Sequence, residues 1–213
     1  MKDLSNYRKS YERSSLDEST LPESPMLLFG RWFAEMEAIG LKDEVNAMTV
    51  ATVGNDGCPR SRVVLLKRFS TDGFTFYTNY NSAKGKAIAE NPNVCLSFFW
   101  AALERQVIIR GIAEKVPAGD SEEYFQSRPL GSQLGAIISN QSEILPSRAE
   151  LDNRLQSMQQ EYEGKIVPRP EHWGGYLVKP FEFEFWQGRP NRLHDRIQYI
   201  STDRSWSHAR LSP

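Results

Sequence analysis

The 213-residue chain contains no long apolar segment. A membrane-spanning helix needs about 18 or more consecutive apolar residues, and no such run occurs. The first 20 residues are polar and lack the apolar region of a secretory signal peptide. The sequence therefore predicts a soluble, cytoplasmic protein without a signal peptide or a membrane span.

An excess of charge of either sign is also missing. Lysine and arginine together number 26, aspartate and glutamate number 27, and the net charge at pH 7 is -1. Domains that bind nucleic acid over a broad surface normally carry a clear positive excess. We therefore expect no nucleic-acid partner, and we expect the basic residues to act in local clusters.

Cysteine and histidine are scarce. Cys58 and Cys95 stand in no CxxC or metal-like spacing, so reduced thiols are expected. His172 and His208 lie apart from any cluster of carboxylates or cysteines, and no metal site is expected. The chain has no GxGxxG after a strand, no GxxxxGKS or GxxxxGKT, no GxSxG and no HExxH. These absences argue against a zinc enzyme and against the two common nucleotide-binding loops.

What the sequence does contain begins with a polar arm and a helix. Residues 1–22 are charged and Ser-rich without sustained periodicity, which is typical of a mobile arm. After Ser24 and Pro25, apolar residues recur at helical spacing, which predicts an amphipathic helix. A helical excursion is predicted at about 119–163, inside a single domain that covers 23–213.

The remainder of the chain has the pattern of short strands. Apolar runs separated by turn sequences occur at 47–53, 60–69, 74–78, 94–100 and 106–116, and strands return after residue 175. Short strands joined by tight turns favour antiparallel pairing. The pattern predicts a mainly β, α+β fold, an antiparallel barrel of about six strands, closed or nearly closed, with flanking helices.

Residues 184–196, EFWQGRPNRLHDR, concentrate polar chemistry. They hold three arginines and one of the three histidines of the chain. The pattern predicts a strand, a GRPN turn and a second strand RLHDRIQYI. On a regular strand Arg192, His194 and Arg196 share one face, which suits an anionic ligand. The alternative is a solvated edge strand whose Arg and Asp side chains pair locally.

Other residues upstream are candidates for binding anions. Arg62 and Lys67 lie five positions apart, on opposite faces of a regular strand. Lys84 falls in the first turn of a short helix that Ser82 caps, where free N–H groups favour phosphate. Tyr124, Arg128 and Ser132 recur every fourth residue. They form one helical face if the helix continues through Pro129 and a turn-linked cluster if it does not. Each could be ordinary surface, but together they supply charge for two phosphates.

Seven strings carry a resemblance to a known family. In chain order they are RSRVVLLK, FYTNYNSAKGKAI, LERQVIIRG, YFQSRPLGSQLGA, SNQS, WGGY and EFWQGRPNRLHDR. This series resembles the pyridoxamine 5′-phosphate oxidase family. The resemblance implies an FMN-binding split β-barrel and an obligate homodimer with active sites at the subunit interface. It further implies that molecular oxygen oxidises pyridoxamine or pyridoxine 5′-phosphate to pyridoxal 5′-phosphate, yielding hydrogen peroxide and, from the amine, ammonia.

The resemblance also implies roles for individual residues. FMN contacts fall on Arg62, Val63, Leu65, Leu66, Lys67, Tyr77, Thr78, Lys84, Gln106, Gln141, Ser142, Trp186 and Arg196. Substrate contacts fall on Lys67, Tyr124, Arg128, Ser132, Arg192 and His194, of which Arg192 and His194 are the catalytic pair. Arg8 and Tyr11 match an N-terminal segment that covers the site in the family. Arg62 and Lys84 are thereby assigned to the flavin phosphate, and Lys67, Tyr124, Arg128 and Ser132 to the substrate phosphate.

One departure and two rival functions accompany the resemblance. The family often has Arg-Lys where this chain has Ala83-Lys84, so one cation is missing from the expected flavin-phosphate site. One rival is a flavin reductase on the same barrel, against which the RLHDR and YFQSR strings argue. The other is a non-enzymatic carrier or sensor that binds FMN or pyridoxal 5′-phosphate with the same residues.

Overall fold

The computed structural model describes residues 1–40, 44–203 and 205–213. The chain forms two compact units that are interleaved in sequence. The first unit comprises Met1–Val50, Cys95–Gly111 and Pro180–Pro213, and the second comprises Ala51–Val94 and Ile112–Lys179.

Five α-helices lie within the described ranges. They are α1 (Pro25–Ala38), α2 (Ala83–Glu90), α3 (Ala118–Gln126), α4 (Leu130–Ile138) and α5 (Arg148–Glu161). Local sequence explains several of their starts. Pro25 occupies the first turn of α1, where its missing N–H costs nothing. The Ser82 hydroxyl accepts the Gly85 N–H, and the Ser147 hydroxyl accepts the Glu150 N–H, so both serines act as N-caps.

The strands of the described residues form one sheet. They are β1 (Ala47–Val53), β2 (Pro59–Leu65), β3 (Arg68–Ser70), β4 (Gly73–Asn79), β5 (Asn93–Trp100), β6 (Arg105–Lys115), β7 (Trp173–Gln187), β8 (Asp195–Ser201) and β9 (Trp206–Arg210). The hydrogen-bonded order is β2-β1-β5-β6-β7-β4-β3, and β8 pairs with β7 and β9. The pairs β3–β4, β4–β7, β7–β8 and β8–β9 are antiparallel. The mainly β architecture with flanking helices is thus confirmed, with more strands than the six or so expected.

Aromatic residues fill the core of the first unit. Phe29 and Trp32 of α1 are buried, and their rings lie 5.1 Å from that of Phe98 and 5.2 Å from that of Phe185, respectively. Edge-on contacts of this kind stabilise aromatic pairs beyond the area they bury. The predicted apolar stripe of α1 is therefore confirmed for these residues, whereas Leu27, which the same spacing included, is 64% exposed.

A smaller core in the second unit joins helices α3 and α4 to the sheet. Phe125, Leu134, Val167 and Trp173 are buried there against one another. Trp173 is the first residue of β7 and pairs with Asn79 at the end of β4. This core therefore places the α3–α4 connection beside the ends of two paired strands.

The expected strand over 60–69 is interrupted. β2 ends at Leu65 and β3 begins at Arg68, because the backbone N–H of Lys67 instead bonds the carbonyl of Thr75 on the next strand, at 2.8 Å. The prediction that Arg62 and Lys67 lie on opposite faces of one regular strand is therefore wrong, because no regular strand contains both residues. The side chain of Leu66 turns into the core, whereas that of Lys67 is exposed.

Candidate functional site

A cleft of about 610 Å³ in the second unit brings many of the sequence candidates together. Its walls come from the ends of β2, β4 and β7, from α2 and from the α3–α4 connection. The candidates that line it are Val63, Leu65, Lys67, Tyr77, Thr78, Lys84, Tyr124, Arg128, Ser132 and Gln141. Residues that the sequence placed far apart thus converge on one concave surface, the usual form of a small-molecule site.

The connection between α3 and α4 settles how Tyr124, Arg128 and Ser132 meet. α3 ends at Gln126, and Pro129 is the N-cap of α4, so the helix does not continue. The three residues therefore form a turn-linked cluster. Buried Gln133 stabilises the turn, because its amide Nε2 donates to the carbonyls of Gln126 and Arg128, at 3.2 and 2.9 Å.

The guanidinium of Arg128 has a hydrogen-bond donor that the described residues leave without an acceptor. Its guanidinium lies 4.6 Å from the Trp173 ring centre, and its buried Nη1 has no hydrogen-bond partner among the described residues. Burial lowers the pKa of Arg128, while Tyr124 acts to raise it. A buried N–H that lacks a partner is costly to a fold. The geometry of this corner therefore favours an anionic ligand.

Three aromatic rings line the same cleft in a parallel stack. The rings of Tyr77 and Tyr124 lie 3.9 Å apart at 23°, and those of Tyr77 and Trp173 lie 5.5 Å apart at 14°. Burial raises the pKa of the Tyr77 hydroxyl. The stack provides an apolar wall between the polar groups of α2 and those of the α3–α4 turn.

Lys84 is a second cation in this cleft, only 8% exposed. Its Nζ donates to Thr78 Oγ1 at 3.1 Å and to Gln141 Oε1 at 2.7 Å. Burial, with a further contribution from nearby Arg62, lowers the pKa of Lys84 to about 8. Arg62 itself donates to Thr52 Oγ1 at 2.8 Å, and burial lowers its pKa as well. Lys84, in the first turn of α2, and nearby Arg62 repel each other. An anion bound between them would stabilise both cations.

Ala83, which stands where the family often has arginine, is bonded through its backbone to Ser142. The Ala83 N–H donates to the Ser142 hydroxyl at 3.2 Å, so Ser142 meets the first turn of α2 directly. The Ser82 hydroxyl is already committed to the Gly85 N–H. Lys86 is exposed and lines a neighbouring cavity of about 380 Å³ together with Arg60.

A separate cavity of about 440 Å³ lies in the first unit. One wall is the N-terminal stretch Tyr7–Tyr11, and the other is made by Arg189, Asn191, Arg192 and His194. It therefore contains the proposed covering residues Arg8 and Tyr11 together with the proposed catalytic pair.

The segment before β8 is not the strand that alternation predicted. Pro190–Arg192 form a 3-10 turn in which Asn191 and Arg192 have φ values of 58° and 62°, and β8 begins only at Asp195. The prediction that Arg192, His194 and Arg196 share one strand face is therefore wrong. Pro190 fixes its own φ, and asparagine tolerates the left-handed region, so the turn extends beyond GRPN.

Arg196 fits the alternative of local pairing. Its guanidinium makes two bonds to the Glu184 carboxylate, at 2.8 and 3.1 Å, across the β7–β8 pair. A third bond goes to the carbonyl of Ser212 at 2.8 Å. The bonds to Glu184 raise the pKa of Arg196.

The hydrogen bond that His194 accepts fixes its tautomer. The backbone N–H of Arg189 donates to Nδ1 at 3.1 Å, and a backbone N–H can only donate. The neutral ring therefore carries its proton on Nε2. Burial and the neighbouring Arg192 lower the pKa of His194, whereas Asp195 acts to raise it. The net lowering of the pKa favours the neutral ring. His194 is thus arranged to donate a hydrogen bond from Nε2.

Comparison with known proteins identifies the family. A family model described as pyridoxamine 5′-phosphate oxidase matches residues 35–161, and one described as the pyridoxine 5′-phosphate oxidase C-terminal dimerisation region matches residues 173–213. The chain belongs to the pyridoxamine 5′-phosphate oxidase family. A protein of Flavobacterium johnsoniae named pyridoxine/pyridoxamine 5′-phosphate oxidase is 65% identical over the whole of both chains. One of the same name from Leptospira biflexa is 49% identical, also over both whole chains. The chain is therefore an oxidoreductase by class.

Solved structures of similar proteins confirm the split-barrel class. PhzG of Burkholderia lata, in complex with tetrahydrophenazine-1-carboxylic acid, aligns with a TM-score of 0.89 and 26% identity over 96% of this chain and all of that one. An FMN-binding protein of Nostoc punctiforme aligns with a TM-score of 0.70 and 14% identity over 91% of this chain and 99% of that one. The second likeness bears on the fold alone.

Some residues expected to contact ligand line neither of the two cavities. Gln106 is half-buried and donates to Ser97 Oγ at 3.2 Å, and Leu66 is buried in the core. Conversely, sequence reasoning attached no function to Arg189, Gln133 or Trp173. The WGGY string contained Trp173, but only the folded structure shows that its ring lies beside Tyr77 and Arg128.

Two further searches cover the described ranges. Within 1–40, 44–203 and 205–213 there is no group of three or more His, Cys, Asp or Glu side chains placed to hold a metal ion. No helix in the same ranges has the length and apolarity to cross a membrane.

Proposed function

We propose that the protein is an FMN-dependent oxidase that converts pyridoxamine 5′-phosphate and pyridoxine 5′-phosphate to pyridoxal 5′-phosphate. The observation that carries this proposal is the presence of two cationic corners in one cleft. One contains Lys84 with Arg62 beside it, and the other contains Arg128, with Lys67 lining the same cleft. Two phosphate-bearing ligands in one cleft are what this reaction requires, and family membership supports the same conclusion.

The Lys84 corner fits the phosphate of FMN. Lys84, Thr78 and Gln141 already form a hydrogen-bonded set at the start of α2, and a phosphate dianion would relieve the repulsion between Lys84 and Arg62. When bound, FMN accepts a hydride equivalent from the substrate and passes electrons to oxygen. The cleft residues Val63, Leu65 and Tyr77 would give the isoalloxazine its apolar surroundings.

The Arg128 corner fits the substrate phosphate. Arg128 Nη1 has no hydrogen-bond partner in the part of the chain that the structure describes, and Lys67, Tyr124 and Ser132, which line the same cleft, supply an ammonium and two hydroxyls. Charge-assisted bonds of this kind fix orientation as well as affinity. Binding the non-reacting phosphate here would hold the reacting carbon in place, which is how remote binding energy contributes to rate.

Arg192 and His194 are the proposed catalytic pair. Arg192 provides a fixed positive charge, and His194 donates from Nε2 because Arg189 occupies Nδ1. In this arrangement neutral His194 positions and polarises a substrate oxygen or nitrogen, and it is not set up as a general base.

A homodimer is part of the proposal. The match of residues 173–213 to a dimerisation region supports it, and so does the resemblance to a family with active sites at the subunit interface. No nucleic-acid or membrane partner is invoked, and oxygen is the proposed electron acceptor.

Assay of the purified protein tests the proposal. We expect a yellow protein that forms a 4′-aldehyde and one equivalent of hydrogen peroxide per pyridoxine 5′-phosphate consumed. A yellow protein that is reduced by a nicotinamide but not by pyridoxine 5′-phosphate would instead indicate a flavin reductase. A protein that binds FMN or pyridoxal 5′-phosphate without turnover would indicate a carrier or sensor.

A further inference from the structure

Glu104 is a buried carboxylate that belongs to neither of the ligand-binding sets. It lies in the first unit, between a 3-10 turn at Ala101–Leu103 and the start of β6, and is 6% exposed. Its φ of 57° places it in the left-handed region, which residues other than glycine, asparagine and aspartate seldom adopt. A glutamate held in this conformation needs compensating contacts.

The contacts of the Glu104 carboxylate come from the N-terminal stretch. Glu104 Oε2 accepts the backbone N–H groups of Glu12 and Arg13, both at 3.0 Å, and Oε1 lies 3.2 Å from Lys9 Nζ. Burial acts to raise the pKa of Glu104, but the bonds from Arg13 and Lys9 outweigh it and hold the pKa below its usual value. The carboxylate is therefore ionised and binds three donors from a single stretch of chain.

Gly188 supplies an independent observation at the same place. Its N–H donates to the Glu104 carbonyl at 2.7 Å. A Cβ at position 188 would lie 2.7 Å from Tyr11 Cγ and 2.8 Å from Tyr11 Cβ, both too close for any real contact. The φ of Gly188 is outside the left-handed region, so the backbone itself does not demand glycine. The close approach of Tyr11 does.

The position of Tyr11 matters because of what its ring touches. The ring lies edge-on to Trp186 at 5.7 Å and against His194 at 5.9 Å. The same stretch, Tyr7–Tyr11, forms one wall of the cavity that contains Arg192. Fixing residues 9–13 therefore fixes this wall.

We propose that Glu104 and Gly188 are positioning residues that together form a seat for residues 9–13 and so build the N-terminal wall of the Arg192–His194 cavity. Glu104 binds the backbone of the stretch, and Gly188 leaves room for the Tyr11 ring. Neither residue contacts substrate in this scheme. The effect on catalysis rests on the proposed function, whereas the seating itself does not.

Glu104→Gln tests the polar half of the seat. The variant keeps the shape of the side chain but replaces one acceptor oxygen by an NH₂ group, which must face either the two N–H groups at Oε2 or the Lys9 ammonium at Oε1. We expect trypsin to cleave after Arg8, Lys9 or Arg13 about tenfold faster than in the wild-type protein, because the open population rises. The matched control is Glu114→Gln, which removes an exposed ion pair between Glu114 on β6 and Lys179 on β7. Equal cleavage rates in the two variants would overturn the proposal.

A double-mutant cycle tests the steric half. Gly188→Ala is expected to increase cleavage in the wild-type background and to have a much smaller further effect when Tyr11 is already Gly, because the two closest atoms, Cβ and Cγ of Tyr11, are then gone and only Glu104 Cβ at 3.1 Å remains close. Circular dichroism and thermal unfolding verify that each variant is folded. Additive effects of the two substitutions would show that Gly188 serves some other purpose.

Steady-state kinetics connects the seat to the reaction. For pyridoxine 5′-phosphate we expect kcat/KM of Glu104→Gln to fall about tenfold, mainly through KM, with the flavin content unchanged. If the wild-type protein has no oxidase activity, the proposed function fails while the cleavage experiment still decides the seat. Loss of flavin without faster cleavage would contradict the assigned role.

Discussion

At the scale of single residues, we expect Lys84 to make the proposed binding of flavin depend on pH. Its pKa of about 8 in the ligand-free protein means that the ammonium is present below pH 8 and is lost as the pH rises through that value. The charge that would bind a phosphate is lost over the same range. We expect the affinity for FMN, measured by quenching of flavin fluorescence, to fall between pH 7 and pH 9.

The matched variant for this experiment is Lys84→Arg. A guanidinium remains charged throughout this range, so the fall in affinity should be much smaller. The phosphate group of FMN is already a dianion above pH 7 and does not contribute. An identical pH dependence in the variant and the wild-type protein would show that a group other than Lys84 titrates.

Arg192 is expected to affect turnover and not cofactor retention. Arg192→Ala should leave FMN bound and lower kcat/KM at least tenfold, about 1.4 kcal/mol in the barrier, because a fixed charge at the reacting ring is lost. Rapid-mixing kinetics and the flavin absorbance of the purified variant measure the two quantities. Arg148→Ala, which removes an exposed pair with Asp152 on α5, is the control for loss of a surface charge. Unchanged kinetics in Arg192→Ala would refute its role.

At the scale of secondary-structure elements, the α3–α4 turn depends on one amide. Gln133→Leu keeps most of the volume but leaves the carbonyls of Gln126 and Arg128 without their donor. We expect a loss of about 1–3 kcal/mol in the free energy of unfolding and a higher KM for the phosphorylated substrate, because Arg128 loses its fixed backbone. Urea denaturation and kinetics measure both effects. Gln156→Leu on exposed α5 should change neither, and a stable Gln133→Leu with normal KM would contradict this account.

Element boundaries show where local pattern succeeds and where it fails. Serine caps and Pro25 predict the starts of α1 and α2 correctly, because these signals act within a few residues. The apolar run at 94–100 is confirmed as part of β5, in which buried residues alternate with less buried ones and Phe99 is 60% exposed. The break at Lys67 was missed because it depends on a hydrogen bond to Thr75 in the following strand.

At the scale of the whole molecule, the C-terminal region matters for assembly. The match of residues 173–213 to a dimerisation region predicts that the protein sediments at twice the 24.4 kDa of one chain. Because association stabilises only the folded protein, the thermal midpoint should also rise with protein concentration. Sedimentation equilibrium and calorimetry over a hundredfold concentration range measure this. A monomer with a concentration-independent midpoint would contradict the predicted homodimer.

The sequence by itself determined the fold class, the main helices and the family, because caps, apolar periodicity and ordered motifs are local properties of the chain. It also predicted which cations are candidates for binding anions, since Lys84 and Arg128 lie in recognisable strings. Only the tertiary structure decided that Tyr124, Arg128 and Ser132 meet across a turn, and that Arg192 and His194 leave the strand.

The tertiary structure alone also showed that Glu104 meets residues 12 and 13, some 90 positions away in the chain. Such contacts depend on how strands pair and where turns end, and these are set by hydrogen bonds between distant segments. Residue 188 is a position whose need for glycine cannot be explained from the sequence alone. The sequence shows a glycine in a turn, whereas the fold shows the Tyr11 ring that makes any larger residue too big.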